Sequence, residues 1–331
     1  MEKSYPGGRN FVRNSFLHRG FPAVGLDTVM ESLAPSTLHQ YNSYYQKWWS
    51  FCIKSEKNPC SYSLNLLISF LTEEYKKGAS YATLNSQYAS LLLLFNIDAI
   101  DKAHLKRFLK GVSKKNPPKP KYQTTWDPTC VLGFLSSWYP LEELPISQLT
   151  QKMVTLLALV TGHRIQTLSK IKISNIIYFE DKLEIRIPDS IKTSSCKNFQ
   201  PALVIPYFRE EPKLCLASVI DVYIKKTKDT RPNDTDYLVL TYKKPIHPAS
   251  SQRISNWIKL TLKSSGIDMS QFSAYSTRHA ATSAAYRAGV SIEQIRKTVG
   301  WTKNSSMFNR FYNRPLGLDS TEFAKAILTL K

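Results

Sequence analysis

The sequence predicts a mainly helical protein of two domains, with a small antiparallel sheet in the second. Apolar residues recur at three- and four-residue steps on both sides of a basic, proline-rich run, which is the spacing of amphipathic helices. In short stretches after that run, apolar and polar residues alternate as they do in β-strands. The run itself, residues 114–125, cannot continue a helix, because each proline lacks an N–H and restricts the residue before it. We therefore expect an extended basic linker between the domains.

Residues 35–113 predict a four-helix domain. The first helix follows a Ser36 cap and has an apolar stripe at helical spacing: Leu38, Tyr41, Tyr45, Trp48 and Cys52. The second covers 64–75 and stops near Gly78, a residue suited to a helix C-terminus. Two more helices are expected at 81–95 and 102–112. Residues 1–34, rich in glycine, arginine and asparagine, are expected to form a mobile N-terminal arm.

Residues 126–315 predict a second domain, in which helices accompany the sheet. A helix is expected at 148–160. Strands are expected at 175–179, 182–187, 202–207 and 236–241. The helical pattern then returns at 251–264, 277–288, 291–299 and 307–312. The polar, lysine-bearing span 188–201 is expected to be an exposed loop.

The tail, residues 316–331, predicts one short helix. Asp319 to Glu322 offers a capping box, and an apolar stripe follows it: Phe323, Ala326, Ile327 and Leu330. So short a helix is not stable alone in water, so it must dock on its own domain or on a neighbouring subunit.

The charge balance favours a polyanionic partner. The chain has 45 Lys and Arg against 25 Asp and Glu, a net charge of +20, which attracts nucleic acid or an anionic membrane surface. No apolar run approaches the roughly 18 residues that a spanning helix needs, and no secretory signal is visible. The five cysteines show neither paired nor zinc-knuckle spacing, which predicts reduced thiols in an intracellular protein.

Separated motifs in the second domain suggest a reaction. They are Thr161-Gly162-His163-Arg164-Ile165, Ser276-Thr277-Arg278-His279, Gly300-Trp301 and Phe311-Tyr312-Asn313-Arg314-Pro315. Two arginines can clamp a phosphate, and a tyrosine can attack its phosphorus. Together these motifs resemble the dispersed active site of the tyrosine recombinase (phage-integrase-like) family. The resemblance covers about residues 35–315 and is greatest to the mobile-element branch of DIRS-like retrotransposons and Cryptons.

The resemblance implies a role for each matching residue. Arg164 and Arg278 match the family's arginines and would bind the non-bridging phosphate oxygens. Tyr312 matches the nucleophile, which forms a 3′-phosphotyrosine and frees a 5′-hydroxyl. Lys192 matches the hairpin lysine that protonates the leaving oxygen, although Lys197 on the same loop is a competitor. Trp301 matches a His or Trp position and would pack, donate its indole N–H to phosphate, or both. No metal or cofactor is needed.

Two positions depart from the family pattern. Tyr275 stands where a histidine is usual, three residues before Arg278, and Thr167 stands where an acidic residue is usual. Either the base role has moved to Tyr275, His279 or water, or the enzyme is impaired. His279 has a second interpretation, as a buried hydrogen-bonded histidine that stabilises the helix turn.

The resemblance also implies an organisation. Residues 35–113 would be a helical core-binding (SAM-like) domain and 126–315 the catalytic domain, and the two would close around duplex DNA. The linker lysines would contact DNA rather than only solvent: Lys114, Lys115, Lys119 and Lys121. The partners would be element ends, target DNA and further copies of the chain on DNA, with the tail helix exchanged between subunits. The expected location is the nucleus, otherwise the cytoplasm. The alternatives are a type IB topoisomerase and a catalytically silent DNA-binding protein.

Overall fold

The computed structural model describes residues 4–117, 119–189, 202–317 and 321–329, and the chain divides into two compact units. The first unit is Met1–Lys119 and the second is Pro120–Lys331. Described residues form mainly helices, with one three-stranded antiparallel sheet in the second unit. The predicted fold class is therefore confirmed. No helix in the described ranges is both long enough and apolar enough to cross a membrane.

The first unit contains the four predicted helices and two more before them. The helices are α1 (Gly8–His18), α2 (Leu26–Glu31), α3 (Pro35–Lys54), α4 (Leu64–Lys76), α5 (Tyr81–Leu91) and α6 (Ala99–Lys115). Helix α3 begins with Pro35, whose fixed φ suits a first turn, rather than after a Ser36 cap. Tyr45 and Trp48 are buried, and their polar atoms bind the carbonyls of Ser90 and Pro59 at 3.1 and 3.0 Å.

The predicted N-terminal arm is wrong for the residues that form α1. Phe11 and Val12 are buried, and the Phe11 ring lies edge-on to Trp49 at 5.3 Å between centroids. The amide of Gly8 donates to the Asn42 side chain at 2.8 Å. The apolar contacts of a short helix with α3 outweigh its poor local propensity, because helices in proteins are stabilised mainly by packing.

The predicted linker 114–125 is too long at both ends. Lys114 and Lys115 belong to the last turn of α6, where cations interact favourably with the helix dipole. At the other end Tyr122 is buried in the second unit, and its hydroxyl hydrogen-bonds Ser273 at 2.7 Å. Trp126 is also buried there, and its indole N–H donates to Ser276 at 2.8 Å.

The second unit surrounds the buried helix α8. Its helices are α7 (Pro128–Ser136), α8 (Ile146–Thr161), α9 (Ile165–Leu168), α10 (Leu216–Thr227), α11 (Ser251–Ser264), α12 (Ser276–Arg287) and α13 (Ile292–Thr298). Helix α8 is buried on most of its sides and packs against α10, α11 and α12. It therefore fixes the position of α12, which carries the second arginine motif.

The sheet consists of β1 (Ile176–Tyr178), β2 (Lys182–Arg186) and β3 (Ala202–Pro206) in that order. Its register pairs Ile176 with Ile185 and Leu183 with Ile205, so that apolar side chains share the buried face. The strand predicted at 236–241 is wrong: with the residues that the structure describes, this segment makes only isolated bridges. Its residues Leu238, Val239 and Leu240 are buried without a neighbouring strand to pair with, so apolar composition alone misled the prediction.

The C-terminal part holds the tyrosine motif. Residues Phe308–Tyr312 form a short π-helix instead of the predicted α-helical turn, and such turns are frequent at functional sites. Helix α14 (Thr321–Leu328) follows in the tail. Most of the predicted loop 188–201 lies outside the described residues.

Candidate active site

The loop between α8 and α9 carries Arg164 and is tied down by its neighbours. Helix α8 ends at Gly162 with φ of +57°, and a Cβ there would meet the Val299 side chain at 2.8 Å. Only glycine therefore fits this turn without a shift. Beside it, His163 is buried and its Nε2 hydrogen-bonds the Thr298 carbonyl oxygen at 2.9 Å. Burial, with the nearby Arg278 charge, lowers the pKa of His163 to about 4, so the ring is neutral at pH 7 and serves as a tie.

Arg278, on α12, is the most deeply buried cation of the site, with 1% of its surface exposed. Its two terminal nitrogens donate to the carbonyl oxygens of Gly162 at 2.6 Å and Val299 at 3.0 Å. Its buried Nε has no hydrogen-bond partner among the described residues. Burial lowers the pKa of Arg278 to about 10, so it remains charged at pH 7. A charged fork with an unused donor is suited to a phosphate oxygen.

Tyr312 is 3% exposed and lies in an aromatic enclosure next to Arg278. The His279 ring stacks on it at 4.3 Å, with 20° between the planes, and the Trp301 ring lies at 4.7 Å. The Arg278 guanidinium carbon is 4.8 Å from the Trp301 ring centroid and 5.6 Å from that of Tyr312. Trp301 therefore packs against both. Burial, and after it the hydrogen bond with the Tyr275 hydroxyl, raises the pKa of Tyr312 to about 12.

The hydroxyls of Tyr312 and Tyr275 form a direct hydrogen bond. Tyr275 immediately precedes α12 and is 37% exposed, so it lies between the buried hydroxyl and solvent. On its other side, Lys121 Nζ is 5.9 Å from the Tyr275 ring centroid. Tyr275 thus places a second hydroxyl against that of Tyr312.

His279 is buried and neutral. Burial lowers the pKa of His279 to about 4, and a hydrogen bond to the backbone of Phe311 only partly opposes this. Within the described part of the chain its Nδ1 has no hydrogen-bond partner, and the Tyr122 ring lies edge-on to the His279 ring at 4.9 Å between centroids. The contacts are those of a packed side chain that holds the Tyr312 ring.

The other residues that the sequence singled out are Arg164, Thr167, Lys192 and Lys197. Arg164 is partly exposed at the start of α9, and its charge acts on both Arg278 and Tyr312. Thr167 is buried, and its backbone N–H donates to the Arg164 carbonyl at 2.8 Å, so it supports that turn. Lys192 and its competitor Lys197 lie outside the described residues. The structure therefore brings together Tyr275, Arg278, His279, Trp301 and Tyr312, with Arg164 alongside.

Two residues that support the site, His163 and Ser283, were not predicted from the sequence. His163 stands in the first motif but received no role, and its tie to Thr298 holds the Arg164 loop to the segment before Trp301. The Ser283 hydroxyl donates to the Tyr312 carbonyl and accepts from the Arg314 amide at 3.1 Å, which fixes the backbone at Tyr312. For Ser283 the sequence offered no signal, because a serine inside a helix has no distinctive neighbours.

The family assignment follows from sequence comparison. The model of the phage integrase family matches residues 141–316, which is just over half of the 331 residues and includes every described residue of the site. The chain belongs to the phage integrase family, and its enzyme class is that of the tyrosine recombinases. No curated protein shows significant sequence similarity to the chain.

Solved structures agree with the fold. The XerH site-specific recombinase in a post-cleavage complex with a palindromic difH substrate is 17% identical, with a TM-score of 0.61 over 97% of this chain and 86% of that one. The Tn1549 transposon integrase in complex with transposon right end DNA is 16% identical, with a TM-score of 0.54 over 97% and 99%. A lambda integrase tetramer bound to a Holliday junction is 14% identical, with a TM-score of 0.52 over 97% and 82%.

Proposed function

We propose that the chain cleaves and rejoins DNA strands through a 3′-phosphotyrosine on Tyr312, as the recombinase of a mobile element. The observation that carries this proposal is the contact between a buried tyrosine and a buried arginine whose Nε–H is unused. A surface arginine would be solvated, but this one is already desolvated and fixed by two carbonyls. It is preorganised for an oxyanion, which is the arrangement that stabilises a charged transition state.

The proposed reaction gives separate roles to the two arginines, the tyrosine and a lysine. Arg278 and Arg164 bind the non-bridging oxygens, and the Tyr312 oxygen attacks the phosphorus in line. The 5′ oxygen leaves with a proton from Lys192, or from Lys197 if that lysine takes the role. Because the phosphotyrosine conserves the energy of the broken bond, the 5′-hydroxyl of a second DNA reverses the step and joins new strands.

A lysine ladder on α6 supports duplex binding by the first unit. Its members are all exposed and follow each other at four-residue steps: Lys102, Lys106, Lys110 and Lys114. Like charges at this spacing repel and destabilise a helix, so the ladder is stabilised when a polyanion neutralises it. DNA phosphates are the partner that this row fits. Lys115, at the end of α6, and the linker lysines Lys119 and Lys121 extend the proposed contact along the chain.

We expect the ladder to contribute to the salt dependence of DNA binding. Replacing Lys102, Lys106 and Lys110 with Gln should weaken binding to all duplex sequences and make the log–log salt slope shallower by about 0.9 per lost phosphate contact. The measurement is fluorescence anisotropy over a salt series. The matched control replaces three exposed lysines elsewhere in the first unit, Lys54, Lys57 and Lys76. Equal slopes for both triple variants would rule out a specific role for the ladder.

A second basic surface lies in the catalytic unit. An open cavity there is lined by Lys243, Lys244, His247 and Arg253, next to the stacked rings of Tyr242 and Trp257, whose centroids are 5.0 Å apart. No motif singled it out, because its cations come from a loop and from the start of α11. We include this surface in the proposed DNA contact.

The mobile-element role, the relation to DIRS-like elements and Cryptons, and a nuclear location are parts of the same proposal. The alternatives are a topoisomerase, which reseals one duplex, and a catalytically silent binder. The deciding experiment offers the cleaved complex a second duplex with a free 5′-hydroxyl and measures joined strands. A recombinase joins the two DNAs. Resealing alone indicates a topoisomerase, and binding without cleavage indicates the silent protein.

We also propose that the protein acts as a multimer on DNA and that α14 connects its subunits. In that helix Ile327 and Leu328 are 50% and 83% exposed, so part of its apolar surface is not covered within its own chain. A chain ending at Gly317 should fold and bind DNA but lose the higher-order complex. Mass photometry on a DNA with two cleavage sites is the measurement. Multimers at full-length abundance would mean that the tail is dispensable for assembly.

A further inference from the structure

We propose that Tyr275 is a catalytic residue: its hydroxyl accepts the proton of Tyr312 during attack and passes its own proton to solvent water. The proposal rests on the proposed function and deepens it. A buried nucleophile must lose its proton as the bond to phosphorus forms, and the proton must leave the site. In the structure the Tyr312 hydroxyl meets the hydroxyl of Tyr275.

The exposure of the two tyrosines indicates the direction of proton transfer. Tyr312 is 3% exposed, whereas Tyr275 is 37% exposed, so Tyr275 connects an enclosed hydroxyl to water. The ring centroids are 6.4 Å apart at 62°, and this edge-on arrangement brings the two oxygens together without stacking the rings. Tyr275 also precedes α12 directly, so the helix that holds Arg278 fixes it as well.

His279 is a poorer acceptor on geometric grounds. Its ring stacks on Tyr312 with only 20° between the planes, and imidazole lone pairs lie in the ring plane, so they do not point at the Tyr312 oxygen. One ring nitrogen is already bound to the backbone of Phe311. Proton abstraction requires hydrogen-bond reach and alignment, and Tyr275 meets this requirement.

The proton count of the proposed step balances. The Tyr312 oxygen bonds to phosphorus while its proton passes to the Tyr275 oxygen, and the original Tyr275 proton passes to water. Tyr275 ends as a neutral phenol, and the 5′ oxygen departs with a proton from the general acid. The charged or titratable groups that face Tyr275 are Lys121, Arg278, His279 and Tyr312. The two cations stabilise negative charge that develops on the oxygens during transfer.

The test is single-turnover formation of the covalent adduct on a nicked duplex, measured across pH for the full chain. Tyr275→Phe should slow the reaction by about 10²-fold, within the usual range for a positioned acid–base group, with unchanged duplex affinity. Tyr275→His should recover at least a tenth of the rate and give a profile that levels off above about pH 7, because an unperturbed imidazole titrates near 6.5. Tyr286→Phe, on the exposed side of α12, is the matched control and should match wild type.

The outcomes separate this inference from the proposed function. If wild type forms no adduct, the proposed function fails. If wild type forms the adduct and Tyr275→Phe forms it equally fast, only the role of Tyr275 fails. A slow Tyr275→Phe whose rate Tyr275→His neither recovers nor reshapes in pH would make Tyr275 a packing residue and would also overturn the inference.

Discussion

Tyr312→Phe is expected to abolish covalent attachment to DNA and to leave duplex affinity nearly unchanged. The substitution removes one hydroxyl, while the ring keeps its contacts with His279 and Trp301. Without the oxygen no bond to phosphorus forms, so the loss should be complete within detection. The assay is the accumulation of a denaturant-resistant protein–DNA adduct on a nicked duplex, with binding measured in parallel.

A buried hydroxyl in the other unit provides the control. Tyr45 donates to the Ser90 carbonyl at 3.1 Å, and Tyr45→Phe removes that bond at a cost of about 1 kcal/mol of folding stability. It should still form the adduct at the wild-type rate. If Tyr312→Phe still formed the adduct, the nucleophile would have to be another tyrosine, and Tyr275 would be the first candidate.

Arg278→Lys is expected to slow adduct formation by about 10²- to 10³-fold, the effect of removing one preorganised donor from an oxyanion site. An ammonium keeps the positive charge, but it cannot bind the Gly162 and Val299 carbonyls as a fork and also reach the phosphate. The expected signature is a loss of rate in single turnover with little change in DNA affinity.

Arg231 is the matched control for any loss of rate that arises because the substitution destabilises the fold. Its guanidinium also binds two backbone carbonyls, those of Tyr237 and Leu238, at 2.7 and 2.9 Å. Both Arg231→Lys and Arg278→Lys should lower the melting temperature, but Arg231→Lys should retain the cleavage rate. Equal losses of rate in both variants would show that Arg278 acts only through folding.

Strong apolar periodicity made most of the fold predictable, and its failures have physical reasons. Helices α3 and α4 were predicted because their apolar residues repeat over several turns. Helix α1 was missed because two buried residues, Phe11 and Val12, are enough to dock it on α3. The segment 236–241 was predicted as a strand because it is rich in apolar residues; those residues are buried, but burial does not require a partner strand.

The site could be predicted as a set of motifs but not as a geometry. Arg278 and Tyr312 were recognisable from their neighbours in sequence, whereas the bonds from Arg278 to Gly162 and Val299 join residues 116 and 21 positions away. The contact between Tyr275 and Tyr312 is likewise formed by folding, across 37 positions. Tyr275 was recognisable in the sequence as a tyrosine where the family usually has a histidine, and folding places its hydroxyl against that of Tyr312.

In the proposed reaction Tyr312 breaks a DNA strand and remains attached to its 3′ phosphate. The most direct measurement offers wild-type protein a pool of nicked duplexes with randomised sequence around the nick and then isolates the covalent adducts. Mass spectrometry of their peptides should locate the nucleotide on Tyr312, joined to a 3′ phosphate, and the released strand should carry a 5′-hydroxyl. The role of Tyr312 would be contradicted by attachment at another residue or through a 5′ phosphate. It would also be contradicted if duplexes that the protein demonstrably binds gave no adduct.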